Sequence, residues 1–121
     1  MLVAQHARVE NKVIKSIMTI QFNTDNNVSL SEELRTPLIS MISEELTRFR
    51  DQITRIEVHL SDENSDKQGS NDKRCIIEAR LAGMKPIAVI NHANTHEQAV
   101  GGAVDKLKNS LDSILGRLRN R

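Results

Sequence analysis

The chain contains few of the residues that form covalent cross-links or aromatic cores. It has a single cysteine, Cys75, two phenylalanines, and neither tryptophan nor tyrosine. A lone cysteine excludes a disulfide within the chain, which is typical of proteins from a reducing compartment. Because aromatic rings are so scarce, the core is expected to consist of Leu, Ile, Val and Ala side chains.

Long apolar segments are also absent. No apolar run approaches the roughly 20 residues that a membrane-spanning helix requires, and residues 1–17 lack the continuous apolar stretch of a secretory signal. A cytoplasmic protein without membrane contact is therefore expected. A length of 121 residues predicts one domain.

Signatures of catalysis are missing as well. The sequence has no glycine-rich phosphate loop, no nucleophile elbow and no suggestive Ser/His/Asp set. We therefore predict a protein that is not an enzyme and needs no cofactor or small-molecule substrate. His92 and His96 are separated by the spacing of a helical metal site, but a strand is predicted to end at the first and a helix to begin near the second. No metal site is predicted, and Cys75 is expected to be a small buried hydrophobe.

Four segments alternate apolar and polar residues, as strands with one buried face do. They cover residues 18–23, 55–60, 73–81 and 87–91. The segment 61–72 between the second and third strands has no apolar side chain and is predicted to be a mobile loop. Residues 1–17 are predicted to lie outside the core as an N-terminal extension, which leaves residues 18–121 as the domain.

Two other segments repeat apolar residues at helical spacing. Ser29 and Glu32 form a capping-box pattern before the first, and Pro37 within it predicts either a kink or a helix start at Thr36. The first apolar stripe comprises Leu34, Leu38, Met41 or Ile42, Leu46 and Phe49. Thr95 and Gln98 form a similar pattern before the second helix, which should run to about Arg119. The second stripe comprises Val100, Val104, Leu107, Leu111, Ile114 and Leu118.

The order strand, helix, strand, strand, strand, helix indicates an α+β fold. The first helix should connect two parallel strands by a right-handed crossover, and hairpins should join the later strands. Since each element has one apolar face, we predict a two-layer sandwich in which both helices cover one face of a four-stranded mixed sheet.

Four short segments in this order resemble the ribosome hibernation promoting factor and ribosome-associated inhibitor family, also called sigma-54 modulation proteins. They are VSLSEEL at 28–34, ITRIEVHLS at 53–61, EARLAG at 78–83 and AVDKL at 103–107. The resemblance covers about residues 18–119 and is to the short form, without a further dimerising domain. It implies a βαβββα domain similar to the double-stranded RNA-binding fold. It also implies binding to the small ribosomal subunit through ribosomal RNA, and silencing of bacterial translation under stress.

Cationic side chains concentrate in the second helix. Lys106, Arg117 and Arg121 are predicted on one flank of its apolar stripe, and Lys108 and Arg119 on the other. Such clusters bind phosphate backbones through charge and counterion release. The alternative is that these residues keep the surface solvated and complement the helix C-terminus.

The open face of the sheet supplies a second candidate RNA-binding set, Arg55, Arg74 and Arg80. Glu57 and Glu78 are predicted on the same face, so cross-strand ion pairs explain these arginines equally well.

Two functions therefore stay open. The first is a ribosome-associated translation inhibitor that acts by occupancy, which the basic C-terminal segment and the resemblance favour. The alternative is a protein–protein interaction or homodimerising module on the same fold that has lost ribosome binding. The formal net charge of only +1 favours the alternative, because nucleic-acid-binding domains commonly carry a basic excess.

Overall fold

The computed structural model of the chain describes residues 18–25, 28, 30–63 and 72–119. The predicted N-terminal extension, residues 1–17, lies outside the described residues, as does most of the predicted mobile loop. The strands are β1 (Thr19–Thr24), β2 (Ile53–Asp62), β3 (Lys73–Leu81) and β4 (Ile87–Ala93), and the helices are α1 (Glu32–Glu45) and α2 (His96–Arg119). A short 3₁₀ turn, Thr47–Phe49, follows α1. The predicted βαβββα order is confirmed.

The sheet has the strand order β1-β2-β3-β4. β1 runs parallel to β2, with Thr19 opposite Arg55, whereas β2, β3 and β4 pair antiparallel. The parallel pair requires α1 to carry the chain back from the end of β1 to the start of β2. The mixed sheet expected from the sequence is therefore present.

One aliphatic core lies between the sheet and the two helices. Ile56, Val58 and Leu60 alternate toward it from β2, and Cys75 and Ile77 do so from β3, each with at most 1% exposure. The alternation predicted for these two strands is confirmed. Burial on one side leaves the opposite face of the sheet open to solvent.

The start of α1 differs from the prediction. Ser31 rather than Ser29 occupies the N-cap position, and it makes no side-chain capping hydrogen bond. The helix is already formed before Pro37, so the alternative start at Thr36 is wrong. Pro37 is the sixth residue of α1, where its missing N–H removes the internal hydrogen bond to the carbonyl of Glu33.

The apolar stripe of α1 is shorter than predicted. Leu38 and Ile42 are buried, but Leu34 is 57% exposed. Leu46 and Phe49 reach the core only because the 3₁₀ turn after Glu45 redirects the chain. The apolar residues keep helical spacing up to Phe49, although α1 ends at Glu45. The apolar pattern therefore does not show where the helix ends.

The second helix follows its prediction for most of its length. The backbone N–H of Gln98 donates to Thr95 Oγ1 at 3.1 Å, which confirms Thr95 as the capping residue. Val100, Val104, Leu107 and Leu111 are buried. Near the end, Leu115 packs against the core whereas Leu118 is 43% exposed, because α2 extends beyond the edge of the core.

Gly102 lies where α2 packs closely against Asn91 of β4. The side-chain amide of Asn91 donates to the carbonyl of Ala99 at 3.2 Å and to that of Gln98 at 3.5 Å. A Cβ atom at position 102 would lie 2.7 Å from Asn91 Cγ, whereas one at Gly101 would meet nothing within 4 Å. Of these two adjacent glycines, Gly102 is therefore the one that the close packing of α2 on β4 requires.

The base of the β2–β3 hairpin is more ordered than predicted for residues 61–72. Ser61 and Asp62 belong to β2, and Asp72 is 9% exposed. Lys73 Nζ lies 2.9 Å from Asp62 Oδ2 and 3.3 Å from Asp72 Oδ1. Its hydrogen bond to Asp62 raises the pKa of Lys73, so this ion pair holds the two strands together.

Cys75 is expected to be chemically inert in the folded protein. Its side chain is fully buried, and burial raises the pKa of the thiol to about 12. Because the thiolate is the reactive species, a disulfide reagent at pH 7–9 should react only on unfolding, with one thiol per chain released in denaturant. Reaction of native protein as fast as unfolded protein would contradict the buried position.

Candidate nucleic-acid interface

Two arginines of the open sheet face share a carboxylate. Arg55 Nε lies 3.0 Å and Arg80 Nε 3.7 Å from Glu57 Oε2. Arg80 also pairs with Glu78, at 3.2 Å between Nη2 and Oε1, and Arg55 donates to the Gln21 side chain. These contacts tie each guanidinium to an acidic or amide neighbour on the sheet.

The third sheet-face arginine is also paired. Arg74 Nη1 lies 3.2 Å from Glu63 Oε2, and its Nε donates to Ser61 Oγ at 3.1 Å. Ion pairs therefore account for all three predicted sheet-face arginines. A phosphate that binds on this face would have to compete with the carboxylates already present.

The lysines of α2 point to opposite sides of the helix, as predicted. Lys106 Nζ donates to the Ile90 carbonyl oxygen of strand β4 at 2.7 Å. Lys108 Nζ lies 2.7 Å from Glu45 Oε1 of α1. Within the described part of the chain, Lys106 therefore contacts a neutral carbonyl, whereas Lys108 is ion-paired.

The last turns of α2 also carry cationic charge. Arg117 is exposed, and its Nη1 donates to Ser113 Oγ at 2.9 Å, a contact that leaves its charge unneutralised. Arg119 is the final residue of α2. The Arg119 side chain and the whole of Arg121 lie outside the described residues. The structure thus separates the predicted RNA-binding residues into a paired set on the sheet and a less neutralised set on α2.

Sequence reasoning missed three cationic residues beside the end of α2. Arg48 binds Asp112 through two hydrogen bonds of 2.6 and 2.8 Å and lies 4.2 Å from the Phe49 ring centroid. The bond to Asp112 raises the pKa of Arg48. Arg50 and Lys85 are exposed and form no ion pair within the described part of the chain. Arg50 and Lys85 lie in the loops between helices and strands. The spacing of apolar residues therefore does not predict where their side chains lie.

Neither a metal centre nor a membrane-spanning helix is present among the described residues. Those residues contain no group of three or more His, Cys, Asp or Glu side chains placed to hold a metal, and none of their helices is long and apolar enough to cross a bilayer. His92 Nε2 lies 3.1 Å from Glu63 Oε1. Partial burial lowers the pKa of His96.

Comparisons with known proteins agree with the fold. A family model described as sigma 54 modulation protein / S30EA ribosomal protein matches residues 20–119. The fold is similar to the protein Y N-terminal domain of Thermus thermophilus, with a TM-score of 0.64 and 20% identity over 80% of this chain and 99% of that one. It is also similar to a ribosomal subunit interface protein from Coxiella burnetii, with a TM-score of 0.62 and 20% identity over 82% and 99% of the two chains.

Similarity to curated proteins extends to eukaryotes. Protein FAM136A from Xenopus tropicalis is 30% identical over 96 residues, which cover 72% of this chain and 67% of the relative. The Xenopus laevis protein of the same name matches with the same identity and coverage. Neither name states an activity.

Proposed function

The chain belongs to the sigma 54 modulation protein / S30EA ribosomal protein family, and we propose that it is a cytoplasmic translation inhibitor that binds the small ribosomal subunit through ribosomal RNA under stress. The observation that carries the proposal is the difference between the two cationic sets. Carboxylates neutralise the sheet-face arginines, whereas the polar side-chain contacts of Lys106 and Arg117 within the described ranges are to a neutral carbonyl and a hydroxyl.

Inhibition by occupancy requires no chemistry from the protein. Cationic side chains on a rigid helix bind phosphates and release condensed counterions, which supplies affinity with little dependence on RNA sequence. The packing of α2 on β3 and β4 fixes the spacing of these side chains. The bound domain would then exclude other ligands from the same ribosomal site.

The test compares two variants with equal changes in net charge. We expect Lys106→Gln combined with Arg117→Gln to weaken binding to small subunits by about a hundredfold or more at low salt, since charge-assisted contacts contribute about 1.5–3 kcal/mol each and about 1.4 kcal/mol is a factor of ten. The slope of log affinity against log salt should fall by about two, one for each lost phosphate contact. Cosedimentation with purified small subunits over a salt series measures both quantities.

The matched control is Arg55→Gln combined with Arg80→Gln on the sheet face. It should leave the affinity and the salt dependence nearly unchanged, because Glu57 and Glu78 already engage these arginines. Equal losses in the two double variants would contradict the role assigned to α2. Failure of the native protein to cosediment even at low salt would exclude ribosome binding.

A second candidate function is a protein–protein or homodimerising module on the same fold. The observation that favours it is Ile90, which is 49% exposed on β4, an edge strand that contains no Asp, Glu, Lys or Arg residue. Exposed edge strands of this kind pair with other strands. A concentration-dependent dimer that Ile90→Lys abolishes, without ribosome binding, would support this candidate over the first.

A further inference from the structure

Three connected segments form one end of the molecule, which we call the basic end: residues 47–52, 82–86 and 112–119. The backbone N–H of Ala82 donates to the carbonyl of Gln52 at 3.0 Å. Arg48 binds Asp112 of α2, and Phe49 and Leu115 line a common cavity of ≈ 380 Å³. These contacts place the 3₁₀ turn, the β3–β4 turn and the last turns of α2 side by side.

Cationic residues predominate at the basic end. It contains five basic side chains and two acidic ones: Arg48, Arg50, Lys85, Arg117 and Arg119 against Asp51 and Asp112. Arg50, Lys85 and Arg117 are exposed, and none of the three forms an ion pair within the described ranges. The dipole of α2 explains a preference for Arg117 at the helix C-terminus, but it does not explain Arg50 and Lys85, which are not helical.

The opposite end carries the opposite charge. This acidic end comprises residues 25, 30–35, 62–63, 72–73 and 94–97, where α1 and α2 begin and β2 ends. It contains seven acidic side chains and two basic ones: Asp25, Glu32, Glu33, Asp62, Glu63, Asp72 and Glu97 against Arg35 and Lys73. The two ends are separated by the length of α2, about 36 Å at 1.5 Å per residue. Within the segments named, the two ends therefore differ in sign of charge, which the near-neutral net charge of the chain does not show.

We infer that the protein meets ribosomal RNA end-on, with the basic end against the phosphates and the acidic end directed away from them. The inference rests on the proposed function and specifies the orientation of binding and the further contact residues Arg50 and Lys85. A polyanion attracts the positive end of such a molecule and repels the negative end, so one orientation is favoured before any specific contact forms. Binding along the side of α2 alone would leave Arg50 and Lys85 without a partner.

The orientation can be measured with one tethered cleavage probe at each end. Met84→Cys introduces a thiol beside Lys85, and Leu34→Cys introduces one on the first turn of α1. Both native side chains are exposed, by 38% and 57%, and neither is charged. Buried Cys75 does not need to be removed. Each variant is labelled with iron-EDTA, bound to small subunits, and the cleavage of ribosomal RNA by hydroxyl radicals is mapped.

We expect several-fold stronger RNA cleavage from position 84 than from position 34. Equal cleavage, or stronger cleavage from position 34, in labelled proteins that still cosediment would overturn the end-on orientation and leave ribosome binding intact. Absence of cosedimentation for the unlabelled native protein would overturn both the orientation and the proposed function.

A charge variant tests the same surface independently of α2. Arg50→Gln combined with Lys85→Gln should reduce the salt slope by about two, with no change in melting temperature because both side chains are exposed and outside ion pairs. An unchanged salt slope in this double variant would show that Arg50 and Lys85 do not contact phosphate, and would contradict the inference.

Discussion

Replacement of Leu107 by alanine is expected to lower the free energy of unfolding by about 2–5 kcal/mol. Leu107 is fully buried in the middle of α2 and belongs to the core that joins both helices to the sheet. Its truncation removes buried apolar atoms and leaves a cavity that the surrounding backbone can fill only in part. Urea unfolding followed by circular dichroism measures the change.

Leu118→Ala on the same helix is the matched control. Leu118 is 43% exposed, so its truncation should cost less than about 1 kcal/mol. The sequence places both leucines on one apolar stripe, and the structure separates them. Similar losses of stability in the two variants would mean that the end of α2 packs more tightly than its exposure indicates.

Gly102→Ala should destabilise the protein by about 1–3 kcal/mol, even though alanine is the better helix former. The new Cβ would displace the Asn91 side chain, which then loses its hydrogen bonds to the carbonyls of Gln98 and Ala99. Thermal and urea unfolding of the purified variant measure the loss.

The neighbouring substitution Gly101→Ala should have the opposite sign. A Cβ at position 101 meets nothing within 4 Å, so the gain in helix propensity of up to about 1 kcal/mol remains. In an Asn91→Ala background, Gly102→Ala should also become stabilising, because the colliding side chain is gone. If Gly102→Ala stays destabilising there, the close approach to Asn91 is not its cause.

Prediction from sequence succeeded where a pattern reflects burial. The alternating segments 55–60 and 73–81 were predicted to be strands with one buried face, and their alternating apolar residues are indeed buried: Ile56, Val58 and Leu60 on β2, and Cys75 and Ile77 on β3. A strand has only two faces, so a single apolar series fixes its orientation. The prediction of Thr95 as a helix cap was also correct, because a capping side chain binds a backbone N–H only a few residues away in the sequence.

The failures arose where tertiary contacts decide the outcome. The apolar spacing through Leu46 and Phe49 fits a continuous helix, but α1 ends at Glu45 and a 3₁₀ turn follows. Leu34 fits the same spacing, yet it lies before the part of α1 that covers the sheet. Periodicity identifies residues suited to a helical face and does not reveal where that face meets a partner.

For the candidate interface, the sequence predicted which cationic residues belong to each set. It did not predict as well which of them are ion-paired in the folded protein. It anticipated ion pairs for Arg55 and Arg80 on the sheet. It did not distinguish Lys106 from Lys108, because the pairing of Lys108 with Glu45 joins residues far apart in the chain. Arg50 and Lys85 were missed for the same reason, since only the folded chain brings their connections to one end.

The parallel pairing of β1 with β2 has a consequence for the order in which the domain can form. β2, β3 and β4 are neighbours both in sequence and in the sheet, so short loop closures suffice to join them. β1 leaves the ribosome exit tunnel first, yet Thr19 finds its partner Arg55 only after the whole of α1 has been synthesised. During its own synthesis the chain therefore has a first strand whose backbone groups cannot form their sheet hydrogen bonds until α1 and then β2 have been made.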